Sequence, residues 1–182
     1  AEAVMEGAEL TARRTAATSA LAADFMARRD AKSLLIVGAG TIASNLIPAH
    51  RTVRDYDNVV IWARNSDKAG VLAGQFDNVS VTDDLDAAVA DADVIAAATV
   101  TSEPLIKGSI LKPGVHIDLV GGFTQEMREA DTEAVKRAAG ASRTTRSPFS
   151  SLSERRLKIS SRRGLCLLAT EATGDPGFYA QL

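Results

Sequence analysis

The 182-residue chain has one cysteine, two histidines, one tryptophan, and aromatics at only 4% of its positions. A lone Cys166 closes no internal disulfide. One Cys with two His builds neither a tetrathiolate nor a Cys/His metal cluster. An excess of one charge is also missing: 21 Lys and Arg stand against 23 Asp and Glu, so no overall basic field draws in a polyanion. Nor does a long apolar run open the chain, because Glu2, Glu6, Glu9, Arg13, Arg14 and Asp24 break up any signal peptide or membrane span. The expectation is a cytoplasmic protein without a membrane or nucleic acid as partner.

What is present is 46% apolar and 24% charged residues, the make-up of a globular chain of one or two domains. The first residue is not Met and the first element reads as the middle of something, which points to a start inside a larger protein. Over 10–29, Leu10, Ala17, Ala20, Leu21, Phe25 and Met26 recur at helical spacing. Short apolar runs at 33–37, 58–63, 93–98 and 115–120 read as buried strands, and 78–82 as a strand nearer a sheet edge. Helical spacing fills 41–53, 67–76, the stretch after Asp83 and Asp84, and 128–139, with a helical turn near 109–111; Pro48 predicts a kink or local irregularity. Strands alternating with helices of about ten residues are what right-handed βαβ crossovers require, so the fold class is α/β with a doubly wound parallel sheet.

The first of these apolar runs ends in Gly38-Ala39-Gly40-Thr41-Ile42-Ala43. In a dinucleotide-binding turn the first glycine makes the tight bend and the second lets the pyrophosphate approach the backbone. The third position, here Ala43, lets helix and strand pack closely. A bare GxGxxA is a weak signal; its place after a buried strand and before a helix is the context that the motif demands. At the end of the second strand, where an acid would take the ribose hydroxyls of NAD, the chain has Ala63-Arg64-Asn65-Ser66. A guanidinium, an amide and a hydroxyl suit a 2′-phosphate, which favours NADPH over NAD(H); the plainer reading of Arg64 is a surface cation.

Several stretches together resemble the ornithine cyclodeaminase/mu-crystallin family: LTARRTAATSALAADFMAR, VGAGTIAS, VVIWARNSDKA, DADVIAAATVTSEPLIKG and LKPGVHIDLVGGFTQEMREAD. The likeness runs from about residue 7 to 138 in the right order. It implies a Rossmann domain for NAD(H) or NADPH at 30–140. A separate α/β domain would bind a small imino or amino acid and form a homodimer, and residues 1–29 would be its linking helix. A dimer is not expected of so short a piece. By the resemblance, Arg14 binds the substrate carboxylate, Thr99, Thr101 and Ser102 lie near the nicotinamide, and Val120 and Gly121 lie beneath it. Cyclodeaminases similar to this chain carry Asp after the VGG, but Phe123 stands here, and a phenyl ring exchanges no proton. GGFTQEMREAD instead resembles the branch that reduces cyclic ketimines, which usually has Pro at the place of Gln125. Thr124 or a water is the candidate proton donor. Thr124, Arg128 and Glu129 fit the branch pattern, their plainer roles being loop capping and an exposed ion pair. Three readings stay open: ketimine reductase, ornithine cyclodeaminase, and a shortened relic that at most binds nucleotide.

Between Ser142 and Arg163 there are seven Ser and six Arg in 22 residues. Residues 141–182 read as a solvated tail, as a nucleic-acid patch lacking interleaved aromatics, or as the product of a reading-frame change soon after Arg137.

Overall fold

The computed structural model describes residue 4 and residues 6–141; the Ser/Arg-rich segment lies outside the described residues. Helix α1, Gly7–Met26, comes first and is followed by strand β1, Ser33–Val37, and helix α2, Thr41–Val53. Then come β2, Asn58–Trp62; α3, Ser66–Ala73; β3, Val79–Val81; α4, Leu85–Asp91; and β4, Val94–Ala97. A 3-10 turn at Gly108–Ile110, strand β5, His116–Leu119, and helix α5, Thr132–Ala141, complete the order. The strands form one parallel sheet in the order β3-β2-β1-β4-β5, with Val37 level with Trp62 on one side and with Ala97 on the other. That order reverses direction beside β1, which makes the carboxyl ends of β1 and β4 the switch point where an open α/β sheet receives ligands.

Strand residues alternate between two cores. Leu34, Ile36, Val59, Ile61, Val94 and Ala96 face α1, α2 and α3, whereas Leu35, Val37, Ile95, Ala97, Ile117 and Leu119 face α4, the 3-10 turn and α5. Both faces are covered, which is why the strands read as continuous apolar runs rather than alternating ones. β3 occupies an edge, as its short alternating sequence predicts.

β5 departs from the apolar pattern on the face toward α1. His116 and Asp118 are 1% and 0% exposed there, and Ser19 of α1 donates its hydroxyl to Asp118 Oδ2 at 2.8 Å. His50 Nε2 of α2 lies 3.0 Å from the same hydroxyl, and His116 Nε2 lies 3.1 Å from Asp118 Oδ1. This buried polar cluster ties α1 to β5 and α2 through Ser19, and Ala12, Ala16, Ala20 and Ala23 are buried along α1. Arg54 secures the end of the same helix, donating to the carbonyls of Ala23, Arg28 and Arg29.

At the amino ends of the strands Asp93 accepts from Arg28 Nη2 at 2.5 Å, from the amides of Lys32 and Ser33, and pairs with Lys112 at 2.7 Å. These donors outweigh its burial and hold its carboxyl far below the usual carboxylate range.

The bounds of α2 are those expected from the sequence, whereas the start of α5 differs. α2 runs unbroken through Pro48, whose ring is exposed. α5 starts at Thr132 rather than near Arg128, because Asp131 Oδ1 accepts from the Ala134 and Gly108 amides and Ala130 bridges to Ile106.

Candidate functional site at the carboxyl ends of the strands

The turn after β1 contains two glycines with different reasons for being glycine. Gly38 has φ +125°, and a Cβ on it would stand 2.7 Å from the Ala98 carbonyl oxygen, so the fold itself demands glycine. Gly40 has φ −94° and ψ −174°, which any residue adopts, and a Cβ there would meet nothing within 4 Å. Its missing side chain opens onto a cleft of about 440 Å³ lined by Ala39, Gly40, Thr41, Asn65, Lys68 and Val71, among others. Ala43 is fully buried under β1, the close helix–strand packing expected of the motif's third position, and Ile42 packs partly against the same core.

Electrostatically the cleft mouth is a helix start left open. α1, α3 and α4 are capped by Glu6, Asn65 and Asp84 and carry an acid in their first turns. α2 begins at Gly40 with no side-chain cap and no first-turn acid. Its first-turn amides therefore have no side-chain cap and no acid of their own helix beside them, an arrangement that favours an anionic ligand group.

On the far wall Asn65 lines the cleft, but its Oδ1 is already occupied by the Lys68 amide at 2.9 Å, leaving its amide nitrogen as donor. Arg64 and Ser66 are exposed beside this wall and do not line the cleft. Two charged residues that were not singled out in the sequence do line it, Asp67 and Lys68.

The other half of the switch point lies beyond β4 and β5. Thr99 is half-buried, Gly121 is buried, and Val120 donates its amide to the Ala97 carbonyl at 2.9 Å. Thr101 is 7% exposed and spends its hydroxyl on the Glu103 backbone, while Ser102 is exposed. Glu129 is 4% exposed and bonds to both loops rather than forming an exposed ion pair; burial pushes its carboxyl up while the Thr99, Gly121 and Gly122 donors pull it back. Its neighbour Arg128 donates to the Ala130 carbonyl and to the Thr132 hydroxyl. Phe123 is 63% exposed past the end of β5. Thr124 is exposed in the next turn, where its hydroxyl helps hold the Glu126 carboxyl below its usual range. Arg14 is exposed on α1 and does not line the cleft. The nucleotide-turn residues are thus brought together with Asn65, and Thr99 with Gly121, while Arg14, Arg64, Ser66 and Thr124 stand on the surface. Among the described residues, no group of three or more His, Cys, Asp or Glu is placed to hold a metal ion, and no helix is long and apolar enough to cross a membrane.

An open glycine turn feeding an uncapped helix at the switch point of a parallel sheet defines a Rossmann-like domain of the doubly wound class. More particularly, the chain belongs to the ornithine cyclodeaminase/mu-crystallin family, whose model matches residues 1–145. It is 40% identical over 143 residues to the delta(1)-pyrroline-2-carboxylate reductase of Paracoccus denitrificans, covering 76% of this chain and 45% of that protein. It is 36% identical over 137 residues to the ketimine reductase mu-crystallin of Rattus norvegicus, covering 75% and 44%. Its structure matches that of Thermococcus litoralis delta(1)-pyrroline-2-carboxylate reductase in complex with NADH and L-proline, with a TM-score of 0.70 at 31% identity over 73% of this chain and 43% of that one. The chain therefore spans less than half the length of the relatives it matches.

Proposed function

We propose that the chain carries the dinucleotide side of an NAD(P)H-dependent reductase of cyclic ketimines, taking 1-pyrroline-2-carboxylate or 1-piperideine-2-carboxylate to L-proline or L-pipecolate. The observation that carries the reading is Phe123, exposed beyond β5 where similar cyclodeaminases have an acid. Elimination of ammonia needs a proton-exchanging group at that position, whereas an imine reduction needs its one proton at the imine nitrogen, where Thr124 or a water is the candidate donor. The reductase names of the relatives agree with that choice.

The residues present fit a dinucleotide, because the space at Gly40 and the uncapped first turn of α2 leave room and positive potential for a pyrophosphate. A bound reduced nicotinamide supplies the hydride. The protein's share is position. Thr41, Ile42 and Ala43 present their amides to the phosphates, Thr99, Val120 and Gly121 floor the nicotinamide half, and Arg14 anchors the substrate carboxylate through its planar fork. Thr124 is the candidate that delivers a proton to the imine nitrogen.

Charge on the adenosine wall supports NADPH, since Arg64 and Lys68 flank Asn65 at the end of β2. Asp67 favours the second reading, NADH, as the carboxylate able to accept from ribose hydroxyls. The domain reading is 1–29 as the linking helix, 30–140 as the nucleotide domain and the remainder as a divergent tail.

The test is oxidation of NADPH or NADH followed by absorbance with 1-piperideine-2-carboxylate, run beside ammonia release from L-ornithine with NAD. Substrate-dependent oxidation of the dinucleotide supports the reductase. Ammonia release identifies a cyclodeaminase instead, and dinucleotide binding without either reaction identifies a non-catalytic binder.

A further inference from the structure

One buried carboxylate ties together the loops that follow β4 and β5. Glu129 Oε1 accepts from the Thr99 amide at 2.6 Å and from the Thr99 hydroxyl at 2.7 Å, and Oε2 accepts from the Gly121 amide at 2.9 Å. Every one of these partners is a donor, which is the surrounding an ionised carboxylate needs when it is out of water. The two loops also touch directly. A Cβ on Gly121 would stand 2.1 Å from the Thr99 carbonyl oxygen and 2.3 Å from its nitrogen, so no other residue fits without moving the floor.

The clamp is itself held from behind. Leu105 and Ile106 donate their amides to the Glu129 carbonyl at 2.9 Å each, and Ala130 bridges to Ile106. On the other side Thr99 reaches the glycine turn, since the Cβ direction of Gly38 points at Ala98 O and, at 3.6 Å, at Thr99 Cγ2. The strand order puts β2 and the Asn65 wall on one side of this turn and β4 and β5 on the other. A dinucleotide with its pyrophosphate at Gly40 and its adenosine along the Asn65 wall therefore extends its nicotinamide over Thr99 and Gly121.

We propose that Glu129 is the positioning residue of the nicotinamide half-site, locking the β4 and β5 loops into one rigid floor. The proposal rests on the dinucleotide reading above and adds to it a division of labour. The adenosine and pyrophosphate are held by the glycine turn and α3, whereas the nicotinamide is held by a surface that exists only while Glu129 bridges its two loops. Glu129 acts through Thr99 and Gly121 and is given no contact with the reacting atoms.

Its signature is a split between ligands with and without the nicotinamide. Calorimetric titration of the 182-residue chain with NADPH and 2′-phospho-ADP-ribose, and with NADH and ADP-ribose, measures it directly. Glu129→Gln keeps the shape but turns an amide N–H toward one of the loop donors, and one buried hydrogen bond replaced by a clash of donors corresponds to about a tenfold loss. The expected result is that loss for the intact dinucleotide, with the ADP-ribose ligand changed less than about twofold. Equal weakening of both ligands, or of neither, overturns the proposal. So does an unmodified chain that binds both equally, because the nicotinamide then has no floor to lose. Failure of the unmodified chain to bind either ligand sinks the dinucleotide reading itself, and the proposal with it. Should Glu129→Gln not fold, Thr99→Val removes only the hydroxyl donor, and the same split in smaller measure is required of it.

Discussion

Ser19 and Asp118 lie 99 residues apart in sequence, yet the Ser19 hydroxyl donates to Asp118 Oδ2 at 2.8 Å in the interior. The bond joins the first helix to the last strand, and both partners are essentially unexposed. A buried hydrogen bond contributes about 0.5–1.5 kcal/mol net, and removing one partner costs about 1–3 kcal/mol. Ser19→Ala is therefore expected to lower unfolding stability by about 2 kcal/mol in urea titrations with the m-value unchanged. A midpoint identical to that of the unmodified chain would show that the cluster does not fix α1.

The same cluster sets an acid limit. Burial pushes the His50 imidazole down from its ordinary 6.5 to about 4, with Asp118 opposing the shift and His116 and Arg54 adding to it; Tyr56 stands 3.5 Å from its Nδ1. Above pH 6.5 neither folded nor unfolded chain carries this proton, so the group leaves stability flat. Between 6.5 and 4 the unfolded chain binds a proton that the folded one refuses, and stability falls as pH falls, by up to about 3 kcal/mol. Below 4 the folded chain takes the proton too and the slope ends. Unfolding midpoints measured from pH 7.5 to 4 are expected to decline in the unmodified chain and to decline much less in His50→Gln. Parallel curves would remove His50 as the cause.

Gly38 and Gly40 separate a fold requirement from a ligand requirement. Gly38→Ala meets both a positive φ and the Ala98 carbonyl oxygen, so a loss of more than about 2 kcal/mol of stability is expected. Gly40→Ala meets open space and ordinary backbone angles, so stability should stay within about 0.5 kcal/mol, as for surface changes generally. Dinucleotide affinity, in contrast, should fall at least about tenfold in Gly40→Ala, since a methyl group would occupy the approach of the pyrophosphate. If Gly40→Ala binds dinucleotide normally, the cleft at α2 is not where the phosphates sit.

The strands and the glycine turn were legible because their signals are local: apolar runs four or five residues long, an abrupt glycine, and helical spacing after it. The family resemblance rested on those same stretches and placed Thr99 and Gly121 together at the strand ends, where the structure has them in contact. What escaped the sequence depends on partners far along the chain. Glu129, beside Arg128, reads as a surface ion pair until the Thr99 and Gly121 amides are seen to converge on it. His116 and Asp118 look out of place in a buried strand until Ser19 and His50 arrive from two helices. The helical spacing over 41–53 is legible despite Pro48, and α2 continues past it to Val53. Asp67 and Lys68 carry no local signal of a ligand wall, because it is the packing of the first turn of α3 beside the glycine turn that brings them to the cleft.

That first turn makes cofactor choice a contest between opposite charges. Arg64 is exposed beside the cleft, Lys68 lines it, and Asp67 lies between them in sequence and also lines it. A 2′-phosphate gains from both cations and is repelled by the acid, whereas a ribose diol gains from the acid and is nearly indifferent to the cations. Arg64→Ala is therefore expected to weaken NADPH by about 1 kcal/mol, roughly fivefold, and to leave NADH within twofold, the scale of a partly exposed charge contact. Asp67→Asn should move the ratio the other way, strengthening NADPH and weakening NADH. The measurement is the NADPH:NADH affinity ratio in each variant at low and at high salt, where screening shrinks the phosphate effect but not a hydrogen bond to the diol. Should Arg64→Ala leave NADPH affinity unchanged at low salt, the 2′-phosphate has no partner in Arg64, and Asp67 with a ribose diol becomes the reading of this wall.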